Sequence, residues 1–285
     1  MVKRLLKKLV VALLFLLAFF GFYLLSKTPE TDRTWLPEQA ETATVTREGD
    51  MVTIHNLRDW TYDAERPLET TWTSKTINPD DIERTWFIIE PFADWKAVGH
   101  TFLSFQLVSG EVISFSVEAR REQGEEYKAT KGLVREYELS YQWGTERDFV
   151  TRRLIYLNHP LRLYPMTLSK EDSRALFLSL TEETNVLAEH PRFYNTLTAN
   201  CTNILAKIVN KHYPGTLPYD LSWNFTGYAD LYLFKEGLIA QTGTPEETQA
   251  RADLTPHRDE VVSFSTSLHT TFSTKLRALI LSSGL

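Results

Sequence analysis

Two neighbouring stretches in the first half of the chain alternate between apolar and polar residues. The apolar positions are Leu103, Phe105 and Leu107 in the first stretch and Ile113, Phe115 and Val117 in the second. Alternation with a period of two predicts two half-buried strands. A three-residue loop over 108–110, with Gly110 in the left-handed conformation, aligns the two apolar faces and pairs Leu103 with Phe115. The pattern therefore predicts a β-hairpin of defined register.

This register places His100 directly opposite Glu118 on the other, more polar face of the hairpin. Side chains that face each other across two strands have Cβ atoms roughly 5 Å apart. A carboxylate at that distance fixes the tautomer of an imidazole and prepares it to accept a proton. A surface ion pair at the end of a sheet has the same pattern, and a two-residue turn at Ser109-Gly110 would shift the register by one.

The second half of the chain has helical periodicity. One helix is predicted over 169–187, and a second begins near residue 201, where the apolar residues Ile204, Leu205, Ile208 and Val209 form one stripe. Asn200, Thr202 and Asn203 are residues that favour a helix N-terminus. Further strands are predicted over 51–54, 86–90, 134–143 and 149–154. The mixture predicts an α+β protein, with Cys201 at or next to a helix N-terminus.

The N-terminus has the pattern of a membrane anchor. Four basic residues, Lys3, Arg4, Lys7 and Lys8, precede a run without charge over 9–25. Seventeen helical residues cover roughly 25 Å, and flanking lysines can extend that reach to span a bilayer. No small-residue cleavage pattern follows, which favours an uncleaved anchor over a removed signal peptide. The basic flank predicts a single-pass membrane protein with a cytoplasmic N-terminus and the rest of the chain outside the cytoplasm.

Composition and charge narrow the organisation further. The net charge of −6 argues against nucleic acid as a partner, and the seven scattered histidines predict no metal site. We expect an anchor over 1–26, a polar tether over 27–48, a main domain over 49–240 and a polar C-terminal extension over 241–285. The extension is expected to be loose over 241–270 and to end in a short helix near 274–281.

Cys201 is the only cysteine among 285 residues. It has no partner for an internal disulfide in an oxidising compartment, where a free thiol is at risk of oxidation. The start of a helix favours a thiolate, the species that attacks a carbonyl carbon. These features indicate a nucleophile, although a lone cysteine can also be a small buried hydrophobic residue.

Two other segments are candidates for substrate contacts. Arg120 lies in a charged stretch and could bind an anionic group, although such a stretch can also be a solvated, internally paired loop. The segment over 213–240 is rich in Pro, Gly and aromatic residues, including Tyr228. It could form a wall of a substrate cleft or pack at the periphery of the domain.

Several short motifs, taken together and in order, resemble the Lnb N-terminal periplasmic domain family. They are Ile54-His55-Asn56-Leu57-Arg58-Asp59, Gly99-His100-Thr101-Phe102, Ser116-Val117-Glu118-Ala119-Arg120, Glu146-Arg147-Asp148, Tyr194-Asn195-Thr196, Asn200-Cys201-Thr202 and Gly227-Tyr228-Ala229-Asp230. The resemblance covers residues 50 to about 240. The chain departs from the family pattern at Thr226, where the family is expected to have Pro.

This resemblance implies a permuted papain-like, NlpC-like fold, in which an antiparallel sheet packs against helices. It implies that Cys201 is the nucleophile, His100 the general base and Glu118 the carboxylate that orients it, with no cofactor. Asn200, Tyr194, Arg120, Tyr228 and Asp230 become candidate substrate-binding residues. The family takes its name from a bacterial lipoprotein acyltransferase, so the implied activity is acyl transfer or hydrolysis on a lipoprotein or lipid.

The sequence leaves two other functions open. A cell-wall peptide amidase or peptidase would need the same three residues and would differ only in its acceptor and cleft lining. A non-catalytic envelope scaffold could retain the fold without the reaction, because one fold carries many functions.

Overall fold

The computed structural model describes residues 2–213 and 215–285, and a mixed sheet forms its centre. The strands are β1 (Thr44–Glu48), β2 (Met51–Tyr62), β3 (Pro67–Ile77), β4 (Ile82–Glu90), β5 (His100–Leu107), β6 (Val112–Arg120), β7 (Glu138–Thr145) and β8 (Arg162–Pro165). Their spatial order is β1-β2-β7-β6-β5-β4-β8, with β3 also paired to β2. Neighbours are antiparallel except for β2 and β7. The mixed α+β class predicted from the sequence is confirmed.

Helices precede, cover and follow this sheet. They are α1 (Val2–Ser26), α2 (Ala129–Gly132), α3 (Glu146–Thr151), α4 (Lys170–Glu189), α5 (Cys201–His212), α6 (Ala229–Lys235), α7 (Pro245–Ala252), α8 (Arg258–Phe264) and α9 (His269–Ser282). The helix predicted over 169–187 is α4, and Ser169 caps it by accepting a hydrogen bond from the backbone N–H of Asp172. By length and composition, α1 could cross a membrane, and none of its residues is buried in the domain.

The predicted hairpin register is confirmed. Leu103 pairs with Phe115, and Phe105 pairs with Ile113. Gly110 has a φ angle of 82°, a left-handed conformation that favours glycine because it has no Cβ. The apolar face of β5 and β6 packs in one core that also contains buried residues of α4 and α5.

The opposite face of the hairpin, predicted to be the more polar one, is also buried. Phe102 on this face belongs to a second apolar core, together with Phe149, Phe272 and Leu276. The sheet is therefore covered on both sides, and its polar side chains near Phe102 lie inside the protein. The cover comes from the segment over 149–154, predicted to be a strand, and from the C-terminal extension, predicted to be largely loose.

The segment predicted as a strand over 149–154 is helical. It comprises the end of α3 and a π-helical turn over Arg152–Tyr156. Thr145 caps α3 by accepting a hydrogen bond from the backbone N–H of Asp148. The apolar residues 149, 150 and 154 fit one helical face, and a short apolar run does not distinguish strand from helix. The strand prediction was therefore wrong.

The C-terminal extension is not loose. It forms α7, α8 and α9, whose buried residues include Val261, Phe264, Phe272 and Leu276 in the second core. Thr244 and Glu247 form a capping box at the start of α7, with the Thr-x-x-Glu spacing that is typical of a helix N-terminus. The helical prediction near 274–281 was correct in type but too short.

The segment predicted as a tether is largely built into the domain. Trp35 and Gln39 are buried, and Gln39 donates a hydrogen bond from Nε2 to the carbonyl of Ala119 at 3.2 Å. Its last part is β1, which pairs with β2. Proline and polar residues suggested a spacer, but the buried side chains of Trp35 and Gln39 attach the segment to the domain.

The Glu146-Arg147-Asp148 motif forms three separate ion pairs that join α3 to the rest of the domain. Glu146 binds Arg277 at 2.6 Å, Arg147 binds Asp59 at 3.0 Å, and Asp148 binds Arg58 at 2.8 Å. Asp148 also accepts a hydrogen bond from the backbone N–H of Trp60 at 2.9 Å. The pair of Arg58 and Asp148 is buried, so neither charge has access to water.

We expect Asp148→Ala to destabilise the domain strongly, because it leaves the guanidinium of Arg58 buried without its counter-ion. Breaking such a buried pair costs about 3–5 kcal/mol. Asp80→Ala, which removes an exposed pair with Arg174, is the matched control and should cost less than about 1 kcal/mol. Urea unfolding of the two full-chain variants measures both changes, and equal losses would contradict this assignment.

Candidate active site

Cys201 is the first residue of α5, as the sequence predicted. The Oδ1 of Asn200 accepts a hydrogen bond from the backbone N–H of Asn203 at 2.9 Å, and the Oδ1 of Asn203 accepts one from the backbone N–H of Asn200 at 3.0 Å. This reciprocal capping box fixes the start of the helix, and with it the backbone of Cys201. The thiol is buried and free. It therefore lies at the positive end of the helix dipole.

His100 and Glu118 meet as the hairpin register predicted. The Nε2 of His100 lies 3.2 Å from Oε1 of Glu118. The sequence did not identify the role of Ser116, which lies between them on the same face. Its hydroxyl lies 2.7 Å from Nε2 of His100 and donates a hydrogen bond to Oε1 of Glu118 at 2.7 Å. Ser116 therefore relays the contact between the imidazole and the carboxylate.

Arg153 is the second residue that sequence analysis missed. Its Nη2 lies 2.9 Å from Oε1 of Glu118, and its Nε lies 2.9 Å from Oε2 of Glu90. Glu90 also binds Nδ1 of His159 at 2.5 Å. Arg153 lies on the π-helical turn after α3, so its position could not be obtained from a predicted strand. The alternating pattern of β6, in contrast, already placed Ser116 beside Glu118.

The charged groups of this cluster shift one another's pKa values. Burial raises the pKa of Glu118, but the charges of His100 and Arg153 and the hydrogen bond from Ser116 outweigh it and hold this pKa well below its usual range. Burial lowers the pKa of His100, but Glu118 and Cys201 raise it to about 10. Glu118 is therefore ionised, and His100 is stabilised as an imidazolium.

The thiol of Cys201 responds in the opposite direction. Burial raises its pKa, but a hydrogen bond with His100, the charge of His100 and hydrogen bonds with Thr101 outweigh that effect and lower it overall. Thr101 also lies close to the start of α5, since its hydroxyl is 3.2 Å from that of Thr202. The arrangement can therefore hold a thiolate next to an imidazolium.

A cavity of about 420 Å³ opens beside these residues and includes Cys201, His100 and Glu118 in its lining. Most other lining side chains are apolar or aromatic, among them Phe92, Trp95, Val117, Tyr127, Leu133 and Phe225. Such a mainly apolar cavity with a few convergent polar groups is typical of a small-molecule or substrate site.

Two of the five predicted substrate-binding residues line this cavity. Tyr194 does so, and its hydroxyl lies 3.2 Å from that of Tyr127, another lining residue. Asn200 also lines it, but its side chain is used for the helix cap and for hydrogen bonds to the carbonyls of Thr196 and Trp223, each at 2.9 Å. Asn200 therefore stabilises the start of α5, which carries Cys201.

The other three residues lie outside the cavity lining. Arg120 is buried and donates from Nε to the carbonyl of Gln39 at 2.9 Å, with its guanidinium 4.3 Å from the ring centre of Trp35. Asp230 is buried and accepts a hydrogen bond from the hydroxyl of Tyr164 at 2.8 Å. Tyr228 is partly exposed. The structure does not bring these three side chains to Cys201.

The loop before His100 is held by a close backbone contact with the segment at Thr226 and Gly227. The hydroxyl of Thr226 accepts a hydrogen bond from the N–H of Gly99 at 3.1 Å and donates one to its carbonyl at 2.5 Å. A Cβ on Gly227 would lie 2.0 Å from the carbonyl oxygen of Lys96, so only glycine fits there. Thr226, the departure from the expected family pattern, thus fixes the residue next to His100.

These features define the class of protein: an α+β domain with an N-terminal apolar helix and a cluster of Cys201, His100 and Glu118 that lines a cavity. The family model described as the Lnb N-terminal periplasmic domain matches residues 69–225. This match covers more than half of the chain, and the protein belongs to that family. Searches of curated proteins and of solved structures found no match.

We expect Glu118→Gln to reduce the reactivity of Cys201 at neutral pH. The substitution removes the charge that raises the pKa of His100 and leaves the cation of Arg153 nearby, so the imidazolium and its thiolate partner are both destabilised. Where the thiol pKa lies above the pH, each further unit by which it rises lowers the thiolate fraction about tenfold. The rate of alkylation of Cys201 at pH 7 measures this change.

Glu83→Gln is the matched control, because Glu83 is exposed on β4 and does not line the cavity. Its alkylation rate should equal that of the wild type. Equal rates for Glu118→Gln and wild type would show that Glu118 does not control the ionisation of the site.

Proposed function

We propose that this protein is a membrane-anchored thiol enzyme that transfers or hydrolyses acyl groups through a thioester on Cys201. The observation that carries the proposal is the coupling of Cys201, His100 and Glu118 at the wall of a mainly apolar cavity. A buried thiol with a lowered pKa beside a histidine is the pattern of an activated nucleophile. Groups with strongly changed pKa values are concentrated at functional sites.

The proposed fold is the permuted papain-like arrangement, in which the histidine and carboxylate precede the cysteine along the chain. The order β5, β6 and then α5 is consistent with it, because these elements carry His100, Glu118 and Cys201 respectively. In this arrangement the sheet supplies the base and its carboxylate, and the helix supplies the nucleophile and a favourable dipole.

The first chemical step forms the thioester. His100 takes the proton of the thiol, and the Cys201 thiolate attacks the carbonyl carbon of an ester or amide. Because Nε2 of His100 faces Ser116 and Glu118, Nδ1 is the nitrogen left to exchange protons with Cys201 and the leaving group. The C–O or C–N bond then breaks, and the leaving group takes the proton from His100.

The second step resolves the thioester. An amine or water gives a proton to His100 and attacks the thioester carbonyl, and the C–S bond breaks to release the thiolate. In both steps the carbonyl oxygen develops negative charge. The first backbone N–H groups of α5, at Cys201 and Thr202, have no acceptor within the helix and can stabilise this charge.

The proposed substrates are lipoproteins or lipids. Three features favour them: the apolar cavity lining, the family name and the helix α1, which confines the domain to a surface where acyl chains are present. The proposed topology is an inner-membrane protein with α1 as the single span, a cytoplasmic N-terminus and a periplasmic active site. The run of basic residues before the span supports this orientation.

A cell-wall peptide amidase is the second candidate, because the same residues would cleave a peptide or amide bond. The side chain of Arg121 in the cavity lining favours it, since it offers a cation for an acidic peptide. A non-catalytic scaffold is the third candidate, and it would need no reactive thiol. Incubation with acylated lipoprotein and with peptidoglycan fragments separates the first two by the product formed.

We expect the Cys201 thiol to be alkylated by iodoacetamide at pH values below the ordinary thiol pKa of about 8.5. The direction of this change follows from the pKa shifts of Cys201 and His100. The lowered pKa of Cys201 extends the thiolate to lower pH, and the raised pKa of His100, about 10, keeps the imidazolium present up to that pH. His100→Ala should move the onset of labelling to higher pH.

Cys201→Ser is the control for this measurement, because it should abolish labelling of a chain with a single cysteine. Labelling of the wild type only above the ordinary thiol pKa, or an onset unchanged by His100→Ala, would contradict the proposed enzyme and favour a scaffold.

A further inference from the structure

The mouth of the Cys201 cavity has an apolar rim, formed by Trp95, Leu133, Leu197 and Phe225. All four residues line the cavity, and each has more than a third of its surface exposed. Trp95 is 63% exposed and Leu197 is 47% exposed. The rings of Trp95 and Phe225 touch edge to face, with centroids 5.9 Å apart. Contiguous exposed apolar side chains mark interaction sites more often than ordinary surface.

Asn224 connects two residues of the rim, Leu197 and Phe225. The side-chain amide of Asn224, the residue before Phe225, donates a hydrogen bond to the carbonyl of Leu197. Its Oδ1 accepts a hydrogen bond from the hydroxyl of Tyr219 at 2.6 Å, and the ring of Tyr219 is largely exposed. Aromatic side chains therefore extend outward from the rim, and tryptophan and tyrosine are enriched where proteins meet the membrane interface.

The rim lies next to the end of α1. Arg135 donates a hydrogen bond from Nη1 to the carbonyl of Leu24 at 2.9 Å, and Lys27 binds Glu136 at 2.6 Å. These contacts hold the end of the anchor to the segment that follows Leu133 of the rim. On the other side, Lys27 lines a second cavity together with Thr198, the neighbour of Leu197. Two of the four rim residues, Leu133 and Leu197, are thus close in sequence to residues that lie beside the end of α1.

This position sets the level of the rim relative to a bilayer. The uncharged run over 9–25 of α1 can cross the hydrocarbon core with the help of its flanking lysines, so the end of the helix at Ser26 is expected at the membrane surface. Lys27 and Arg135 follow at the level of the lipid phosphates, which attract basic side chains. Leu133 and Leu197 belong to the same segments, which brings this part of the rim close to that level.

We propose that the rim of Trp95, Leu133, Leu197 and Phe225 docks onto the lipid surface of the membrane that holds α1, so that the Cys201 cavity opens to the bilayer. The docking follows from the position of the rim and does not require a reactive thiol. The identity of the molecule that enters the cavity, an amphiphile that arrives from the bilayer, rests on the proposed function.

Depth-dependent fluorescence quenching tests the docking. The full chain with Cys201→Ser and one new cysteine, either Trp95→Cys or Leu197→Cys, is labelled with an environment-sensitive fluorophore and reconstituted in vesicles of phosphatidylcholine and phosphatidylglycerol. Both rim positions should show blue-shifted emission and quenching by lipids that carry a nitroxide in the upper acyl chain. Val108→Cys in the same background is the matched control and should show neither change.

Val108 suits this purpose because it is 60% exposed, close to the value for Trp95, and lies just beyond the far end of β5 from His100. Eight strand residues separate the two ends by roughly 26 Å. Emission at the rim positions that matches the Val108 position would overturn the proposal. The rim fluorophore could instead show blue-shifted emission that lipid-borne nitroxide does not quench and that disappears when the protein is diluted. That result would show that a second copy of the chain covers the rim, and it would also overturn the proposal.

A second experiment separates docking from chemistry. In the full chain with native Cys201, the double change Trp95→Ser and Leu197→Ser should lower severalfold the ratio of labelling by a lipid-linked iodoacetamide in vesicles to alkylation by water-soluble iodoacetamide. Because both residues line the cavity, this ratio corrects for any change in the reactivity of the thiol itself. Equal labelling of this variant and the wild type by the lipid-linked probe would overturn the role of the rim. A wild-type Cys201 that is inert at neutral pH would contradict the proposed function, while the quenching result would still decide the docking.

Discussion

The structure of the site depends on one constraint: the half-buried carboxylate of Glu118 carries a negative charge that His100 and Arg153 must balance. An ionised group removed from water is costly unless it is paired and hydrogen-bonded. Here His100, Arg153 and the hydroxyl of Ser116 all contact the same oxygen of Glu118, Oε1. This pairing keeps the carboxylate ionised, and its charge in turn raises the pKa of His100 and stabilises the thiolate of Cys201.

Three parts of the fold together position the residues of this cluster. The hairpin of β5 and β6 aligns His100 with Glu118, the π-helical turn after α3 brings Arg153 under them, and the capped end of α5 brings Cys201. Because the sheet is covered on both faces, water can screen these charges only from the cavity. The open side is the cavity, and its mouth lies beside the end of α1.

The motifs that resemble the family have different physical roles. Cys201, His100 and Glu118 line the cavity, whereas Arg58, Asp59 and the residues of 146–148 form ion pairs that join α3 to the sheet and to α9. Gly227 has a third role, because it allows the backbone of its loop to approach the loop before His100. Membership of the family therefore reflects both a candidate site and the framework that holds it.

The sequence by itself determined the local features. The alternation in 103–117 was sufficient for the hairpin register, and residues that favour a helix start placed Cys201 at the beginning of α5, because both patterns depend on neighbours along the chain. Tertiary structure alone decided the position of Arg153, the burial of the polar sheet face and the packing of 27–48 and of 241–285. These features depend on contacts between segments far apart in sequence, where a short apolar run fits a strand or a helix equally well and only the surrounding core selects between them.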